Sequence, residues 1–204
     1  MNAKKEGYFI PLLVVALSCV LGMGGCVQRS SPPGTPLLSP STTQSFKQPT
    51  FTLTSSAFDN GQSIPPEYTC KGENISPPLQ WVNPPPKTKS LVIIVEDPDA
   101  PRGTFVHWMI YNIPATTLSL PEAIPLESEL PDGSRQGTND FGALGYAGPC
   151  PPGGIHHYSF RIYALDVALN LQEGVYEKQL LQAMEGHILT QAELMGGYPA
   201  PLCI

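Results

Sequence analysis

The sequence predicts a mainly β protein, an antiparallel β-sandwich with helices near its C-terminus. Three observations lead to this fold class. The chain has 24 prolines among 204 residues, which disfavours long helices and favours short strands joined by rigid turns. Its apolar stretches have strand-like patterns and are separated by segments rich in Gly and Pro. A helical apolar period begins only near the C-terminus.

Four stretches carry the strand patterns. FTLTSSAF at 51–58 alternates apolar and polar residues, which is typical of a half-exposed strand. SLVIIVED at 90–97 and FVHWMIYNIP at 105–114 are almost continuously apolar, and this predicts strands that are covered on both faces. These two form a predicted hairpin, and HHYSFRIYALD at 156–166 adds another long strand.

The C-terminal part of the chain changes to a helical period. The apolar residues at this spacing are Leu180, Leu181, Met184, Ile188, Ala192 and Met195. They predict one or two amphipathic helices, the last of which ends at Gly196-Gly197. Residues 115–140 show little period and are predicted to form a long surface excursion.

Residues 1–26 are interpreted as a lipoprotein-type signal peptide. Two lysines precede an apolar stretch that ends in small residues immediately before Cys26, an arrangement that resembles the bacterial lipobox. Met23 and Gly24 depart from its commonest residues. We therefore expect Cys26 to be lipidated, with a cleaved secretory signal or an uncleaved anchor as alternatives. Each version places the folded domain outside the cytoplasm, either membrane-anchored or secreted and periplasmic.

Residues 27–49 are rich in Ser, Pro and Thr, and this composition predicts a disordered tether ahead of a domain at 50–204. Export makes disulfides possible in that domain. Cys70 and Cys150 both lie in turn-rich loops and are predicted to pair, which would leave Cys203 free or bonded to another molecule. Three buried thiols are the alternative.

Several classes of function lack their sequence signals. The net charge is −6 and no basic patch is visible, so a nucleic acid partner is not expected. G-x-S-x-G, H-E-x-x-H and P-loop patterns are absent from the sequence, as is C-x-x-C spacing for zinc. We therefore predict a protein that is not an enzyme and has no cofactor or metal site.

Polar side chains gather at the ends of the predicted strands. Asp97 closes the first strand of the hairpin and His107 nearly opens the second, so the two should lie near each other. His156 stands where a Gly/Pro-rich loop passes into the next long strand. If these ends share one edge, they form a small-ligand pocket with tyrosine hydroxyls and apolar walls. Purely structural roles, as turn formers and a core histidine, stay open.

Five motifs together resemble the phosphatidylethanolamine-binding protein family, and more narrowly its bacterial and archaeal Raf-kinase-inhibitor-like branch. They are YTCKGENISPPLQW, DPDAP, HW, GYAGPCPPGGIHHYSFRIYAL and GHILTQAELMGGY, within about residues 51–198. The resemblance implies a central antiparallel sheet against a smaller one, C-terminal helices, and a pocket for a phosphate or phospholipid headgroup. The pocket positions that it implies are Asp97, Pro98, Asp99, Phe105, His107, Tyr146, Gly148, Pro149, His156 and Tyr158.

The expected function is therefore that of an extracytoplasmic binding protein, tethered to a membrane through Cys26, whose partner is a small anion or a phospholipid headgroup. Inhibition of a protease or another enzyme, through a loop such as 121–137, is the alternative. An enzyme that uses Asp, His and Tyr for acid–base chemistry or for metal binding ranks third. Kinase contacts of eukaryotic members are not carried over, because their loop differs where GPCPPGG stands here.

Overall fold

The structure is a computed structural model that describes residues 49–199. The predicted signal peptide with Cys26, nearly all of the predicted tether, and Cys203 lie outside this range. Within it, no helix has both the length and the apolar character needed to cross a membrane.

The strands and the helix follow one another in chain order. They are β1 (Thr52–Thr54), β2 (Gln62–Ser63), a 3-10 turn (Pro66–Tyr68), β3 (Leu79–Val82), β4 (Ser90–Asp97), β5 (Phe105–Pro114), β6 (Ser119–Leu120), β7 (Arg135–Gln136), β8 (Ile155–Leu165), α1 (Glu177–Met184) and β9 (Ile188–Pro199). The larger sheet has the order β2-β9-β8-β4-β5-β7, and the smaller one has the order β1-β3-β6. All these pairings are antiparallel except that of β2 with β9. The predicted mainly β fold with two sheets is confirmed.

Strand β4 lies at the centre of the larger sheet and is buried along its whole length. Its inner residues, such as Ile93, pack into the core between the two sheets together with Trp81 of β3. Its outer residues, such as Ile94, pack into a second core with Leu180 and Met184 of α1. A strand covered on both faces has no polar side to present, which is why its sequence is continuously apolar.

The prediction of a last helix that ends at Gly196-Gly197 is wrong, because Ile188–Pro199 form strand β9. Helix α1 ends at Met184, the chain turns at Gly186 with a φ of +78°, and β9 then pairs with β8 from Ile188 to Pro199. The long edge of β8 supplies backbone partners for the entire segment, and this outweighs the helical spacing of its apolar residues. Gly196 lets the strand pack closely, since a Cβ there would lie 2.5 Å from Ile64.

The predicted surface excursion at 115–140 also contains the short strands β6 and β7. Gln136 of β7 anchors this excursion, because its side-chain amide donates to the carbonyl oxygens of Pro125 and Glu127 and accepts from the Trp108 indole. Two-residue strands leave almost no periodic signal in a sequence.

Candidate ligand-binding site

A cavity of about 240 Å³ lies at one end of the larger sheet. Strand β4 runs antiparallel to both of its neighbours, so its last residues meet the first residues of β5 and β8. Asp97 is paired with Phe105, and Glu96 is paired with Ser159. The predicted meeting of strand ends therefore occurs, and it brings five of the predicted residues into the cavity wall. They are Asp97, Phe105, His107, His156 and Tyr158.

A β-bulge in β5 orients His107. Val95 pairs with Trp108 while the next residue of β4 pairs with Val106, so His107 is an extra residue in β5. Trp108 belongs to the core between the sheets, and the His107 ring packs edge-on against Tyr158 of the same core, with 5.1 Å between ring centroids. The bulge thus places two successive side chains on the inner face of the sheet.

Asp97 and His156 form a buried pair across β4 and β8. The imidazole Nδ1 lies 2.7 Å from the carboxylate Oδ2, and both side chains are more than nine-tenths buried. The other carboxylate oxygen accepts the backbone N–H of Asp99 at 2.9 Å. A carboxylate only accepts hydrogen bonds, so Nδ1 carries the proton and Nε2 is left for other partners.

His107 has its own fixed orientation. Its Nδ1 lies 2.6 Å from the carbonyl oxygen of Ala147, and since a carbonyl only accepts, Nδ1 is the protonated nitrogen. Burial lowers the pKa of His107, although the Ala147 carbonyl and the charge of Asp97 oppose this shift. The ring is therefore neutral near pH 7, and its Nε2 is a hydrogen-bond acceptor.

Tyr158 is fully buried, and among residues 49–199 its hydroxyl has no hydrogen-bond partner. Burial raises the pKa of Tyr158, and the charge of the Asp97 carboxylate, which lies near the hydroxyl, raises it further, while the backbone of Cys150 lowers it. The hydroxyl therefore keeps its proton, but neither neighbour lies in hydrogen-bonding geometry with it. A buried hydroxyl without a partner is uncommon, because it loses its hydrogen bonds to water and gains none in return. Because Tyr158 lines the cavity, its hydroxyl is a candidate contact for a bound molecule.

The rest of the wall is largely apolar, and part of it was missed by sequence reasoning. Phe141 packs against Phe105 with 4.7 Å between ring centroids and remains 55 % exposed. Arg102 also lines the cavity and brings a permanent positive charge. The sequence signal for Phe141 is an aromatic residue next to Gly142, just after the predicted surface excursion, and that pattern does not tell where this segment folds.

Five predicted positions do not line the cavity: Pro98, Asp99, Tyr146, Gly148 and Pro149. Four of them, Asp99, Tyr146, Gly148 and Pro149, make hydrogen bonds to other parts of the protein instead. Asp99 accepts hydrogen bonds from the ring and the backbone N–H of His157, and these lower its pKa. The Tyr146 hydroxyl donates to the carbonyl oxygen of Tyr68 at 2.7 Å, which fixes it away from the cavity.

The same loop is held by backbone contacts and by a disulfide. The Gly148 N–H donates to Asn74, and the Pro149 carbonyl accepts from the N–H of Cys70. Cys70 and Cys150 are bonded at 2.05 Å, in agreement with the predicted pair. Because Cys150 lines the cavity, the disulfide links the cavity wall to the segment that follows the 3-10 turn.

The described part of the chain contains no group of three or more His, Cys, Asp and Glu side chains that could hold a metal ion. The polar groups of the cavity are instead suited to hydrogen bonding. They comprise a carboxylate, two imidazoles, one phenol and one guanidinium.

The fold and the site define a class: a two-sheet β protein with a small cavity at one end of the larger sheet, lined mostly by apolar groups together with a few polar side chains. Comparison with protein-family models gives the particular family. Residues 54–199 match the model described as phosphatidylethanolamine-binding protein. The chain belongs to this family, as the sequence motifs predict.

Curated relatives and solved structures agree with this assignment. The UPF0098 protein of Methanothermobacter thermautotrophicus is 53 % identical over 146 residues, covering 72 % of this chain and 97 % of that protein. A putative phosphatidylethanolamine-binding protein homologue from Chlamydia trachomatis has a solved structure with a TM-score of 0.69 and 46 % identity, covering 74 % of this chain and 98 % of that one. Escherichia coli YbcL, titled a new member of the mammalian PEBP family, has the same TM-score at 33 % identity, covering 74 % and 99 %.

Proposed function

We propose that this protein binds a small oxyanion, either free or as part of a phospholipid headgroup, in the cavity at the ends of β4, β5 and β8. The observation that carries the proposal is the buried Tyr158 hydroxyl, which has no hydrogen-bond partner among residues 49–199 and lies near the buried Asp97–His156 pair. An oxygen of a bound anion would accept from this hydroxyl and remove the cost of leaving it unpaired.

Charge and size support the same ligand class. Arg102 is exposed but lines the cavity, so its guanidinium can supply a cation for the anion. The cavity of about 240 Å³ is smaller than the sites that hold drug-sized molecules, which occupy about 300–1,000 Å³. It suits a headgroup or a free anion rather than a whole lipid.

Family membership supports a binding function at its own level, since the matching model is described as phosphatidylethanolamine-binding. The sequence of residues 1–26, with its apolar stretch before Cys26, supports placing this function outside the cytoplasm and at a membrane surface. Inhibition of a protease through residues 121–137 remains a prediction from the sequence, as does the absence of enzymatic activity.

The proposal is tested by titrating phosphoethanolamine into the full chain in a calorimeter. We expect measurable binding, and we expect Tyr158→Phe to weaken it about tenfold because a ligand oxygen loses its donor. Tyr111→Phe is the matched control, since Tyr111 lies in the outer core and its hydroxyl already donates to the carbonyl of Gln172.

Binding by the Tyr111→Phe variant should equal that of the unmodified protein. If the unmodified chain gives no heat with phosphoethanolamine or with inorganic phosphate, the cavity is not an anion site. Equal affinity in the Tyr158→Phe variant would show that the hydroxyl is a structural irregularity rather than part of the site.

A further inference from the structure

The buried polar groups of the cavity include more acceptors than donors. Asp97 accepts only, and neutral His107 presents the lone pair of Nε2, because its Nδ1 proton is held by the Ala147 carbonyl at 2.6 Å. The Tyr158 hydroxyl is the buried donor that has no protein partner. His156 likewise presents the lone pair of Nε2, because its Nδ1 donates to Asp97. A ligand whose oxygens are all acceptors would therefore face other acceptors at Asp97, His107 and His156.

We propose, on the basis of the proposed function, that the cavity selects an oxyanion that still carries a proton. Its ligand would then be a phosphate monoester rather than a diester or a sulfate, and His107 Nε2 would accept a hydrogen bond from this proton. A monoester monoanion has a P–O–H to donate to Nε2 and ionised oxygens to accept from Tyr158 and Arg102. A diester or a sulfate ester has no such hydrogen. One of its oxygens would face the Nε2 lone pair, or the ring would have to take up a proton.

The surroundings of His107 oppose that proton uptake. Asp97 from β4 and Asp140 from the loop after β7 favour the charged ring, but burial outweighs both and lowers the pKa of His107. Tyr158 from β8 and Phe141 contact the ring edge-on and bring no charge that would stabilise an imidazolium. An anion without a donor hydrogen can therefore form a hydrogen bond with His107 Nε2 only if the His107 ring takes up a proton, which its surroundings disfavour.

Three small anions separate these possibilities: methyl phosphate, dimethyl phosphate and methyl sulfate. The test is calorimetry of the full chain near pH 6, where about half of a phosphate monoester is the monoanion. Dimethyl phosphate and methyl sulfate lack the P–O–H and carry the same charge as the methyl phosphate monoanion. We expect methyl phosphate to bind about tenfold tighter or more than the other two.

The same three titrations also distinguish the two sources of phosphate. Dimethyl phosphate has the diester linkage of a phospholipid, whereas methyl phosphate has the linkage of a soluble monoester. Equal affinity for all three anions would overturn the selectivity and leave the oxyanion site intact. Absence of binding by all three would overturn the proposed function together with this inference.

Two variants assign the selectivity to His107. In His107→Gln the amide can donate as well as accept, so the ratio of affinities should fall to about threefold or less. Tyr158→Phe should weaken all three anions by a similar factor and keep the ratio. An unchanged ratio in the His107→Gln variant would contradict the role given to this residue.

A measurement on the unmodified protein avoids dependence on the folding of a variant. Nitrogen NMR of histidine-labelled protein reports which ring nitrogen carries hydrogen. We expect His107 to be protonated at Nδ1 only, both in the free protein and with methyl phosphate bound. An imidazolium in the methyl phosphate complex would show that the ring takes up a proton and does not detect the one on the ligand.

Discussion

The two faces of the larger sheet carry polar clusters that are built from adjacent residues of the same strands. On the inner face, Asp97 and His156 pair beside Tyr158, whose hydroxyl has no partner in the described structure. On the outer face, Arg161 of β8 donates to Glu96 of β4 at 2.8 Å and to Glu193 of β9 at 3.1 Å.

The two clusters differ in how well their polar groups are paired. The outer carboxylates have a guanidinium between them, and the Ser159 hydroxyl also donates to Glu193. Burial lowers the pKa of Arg161, but Glu96 and Glu193 outweigh it, so the pKa lies above its usual range and the charge is secure. The outer carboxylates therefore have a partner within the protein, whereas the inner cluster lines the cavity and includes a hydroxyl without one among residues 49–199. This difference makes the inner cluster the candidate site.

The largest expected effect on stability comes from removing the cation of the outer cluster. Arg161→Met should lower the free energy of unfolding by about 1–2 kcal/mol near pH 7, because the mostly buried Glu96 loses its partner. The expected loss of stability is small because the Arg161 guanidinium is partly solvated. Denaturant unfolding measures it, and phosphoethanolamine binding should be unchanged. A loss of affinity without a loss of stability would place the outer cluster in the site.

Removing the hydroxyl of Tyr111 or of Tyr158 should have a smaller effect on the free energy of unfolding, and the effect should differ between the two residues. Tyr111→Phe should destabilise the protein by about 1 kcal/mol, because the Gln172 carbonyl loses its donor. Tyr158→Phe should leave the stability unchanged or raise it, since the phenol removed had no partner in the described structure. Thermal or urea unfolding of the two variants compares them directly. Equal destabilisation would mean that the inner hydroxyl is satisfied within the protein.

The smallest expected effect is on the pH dependence of stability. Burial, together with the neighbouring Glu96, raises the pKa of Glu177 on α1 to about 7. An acid whose pKa is higher in the folded state binds more protons there, so stability falls as pH rises from about 4.5 to about 7.

Glu177→Gln should remove this slope and stabilise the protein at pH 8 by about 1 kcal/mol or less, a value reduced for solvent exposure. Urea unfolding of both proteins at pH 5 and pH 8 gives the difference. A variant that is less stable than the unmodified protein at pH 8 would mean that the carboxylate makes a favourable contact.

Much of the fold followed from local pattern. The apolar sequences of β4, β5 and β8 identified three central strands, because a strand buried on both faces has to be apolar throughout. The proximity of Asp97 and His107 followed from the hairpin that joins their strands. His156 followed from the Gly/Pro-rich loop that precedes its strand, and the Cys70–Cys150 pair followed from the turn-rich loops in which both cysteines lie.

The predictions that did not hold depended on partners distant in the sequence. Residues 188–199 have apolar spacing that suits a helix, and only the edge of β8 makes them a strand. Tyr146 lies in the correct loop, yet its hydroxyl is drawn to the carbonyl of Tyr68. Phe141 reaches the cavity because its loop folds against β5, as the backbone bond from Asp140 to Val106 shows.

The sequence by itself determined the mainly β class, the central strands, the family, and the end of the sheet at which polar side chains meet. It could do so because burial on two faces and hairpin closure act on neighbouring residues. The tertiary structure alone decided that β9 is a strand, that a bulge turns His107 inward, and that the Tyr158 hydroxyl is left without a partner. The direction and pairing of a side chain depend on which backbone lies opposite, and that is fixed only when the sheets assemble.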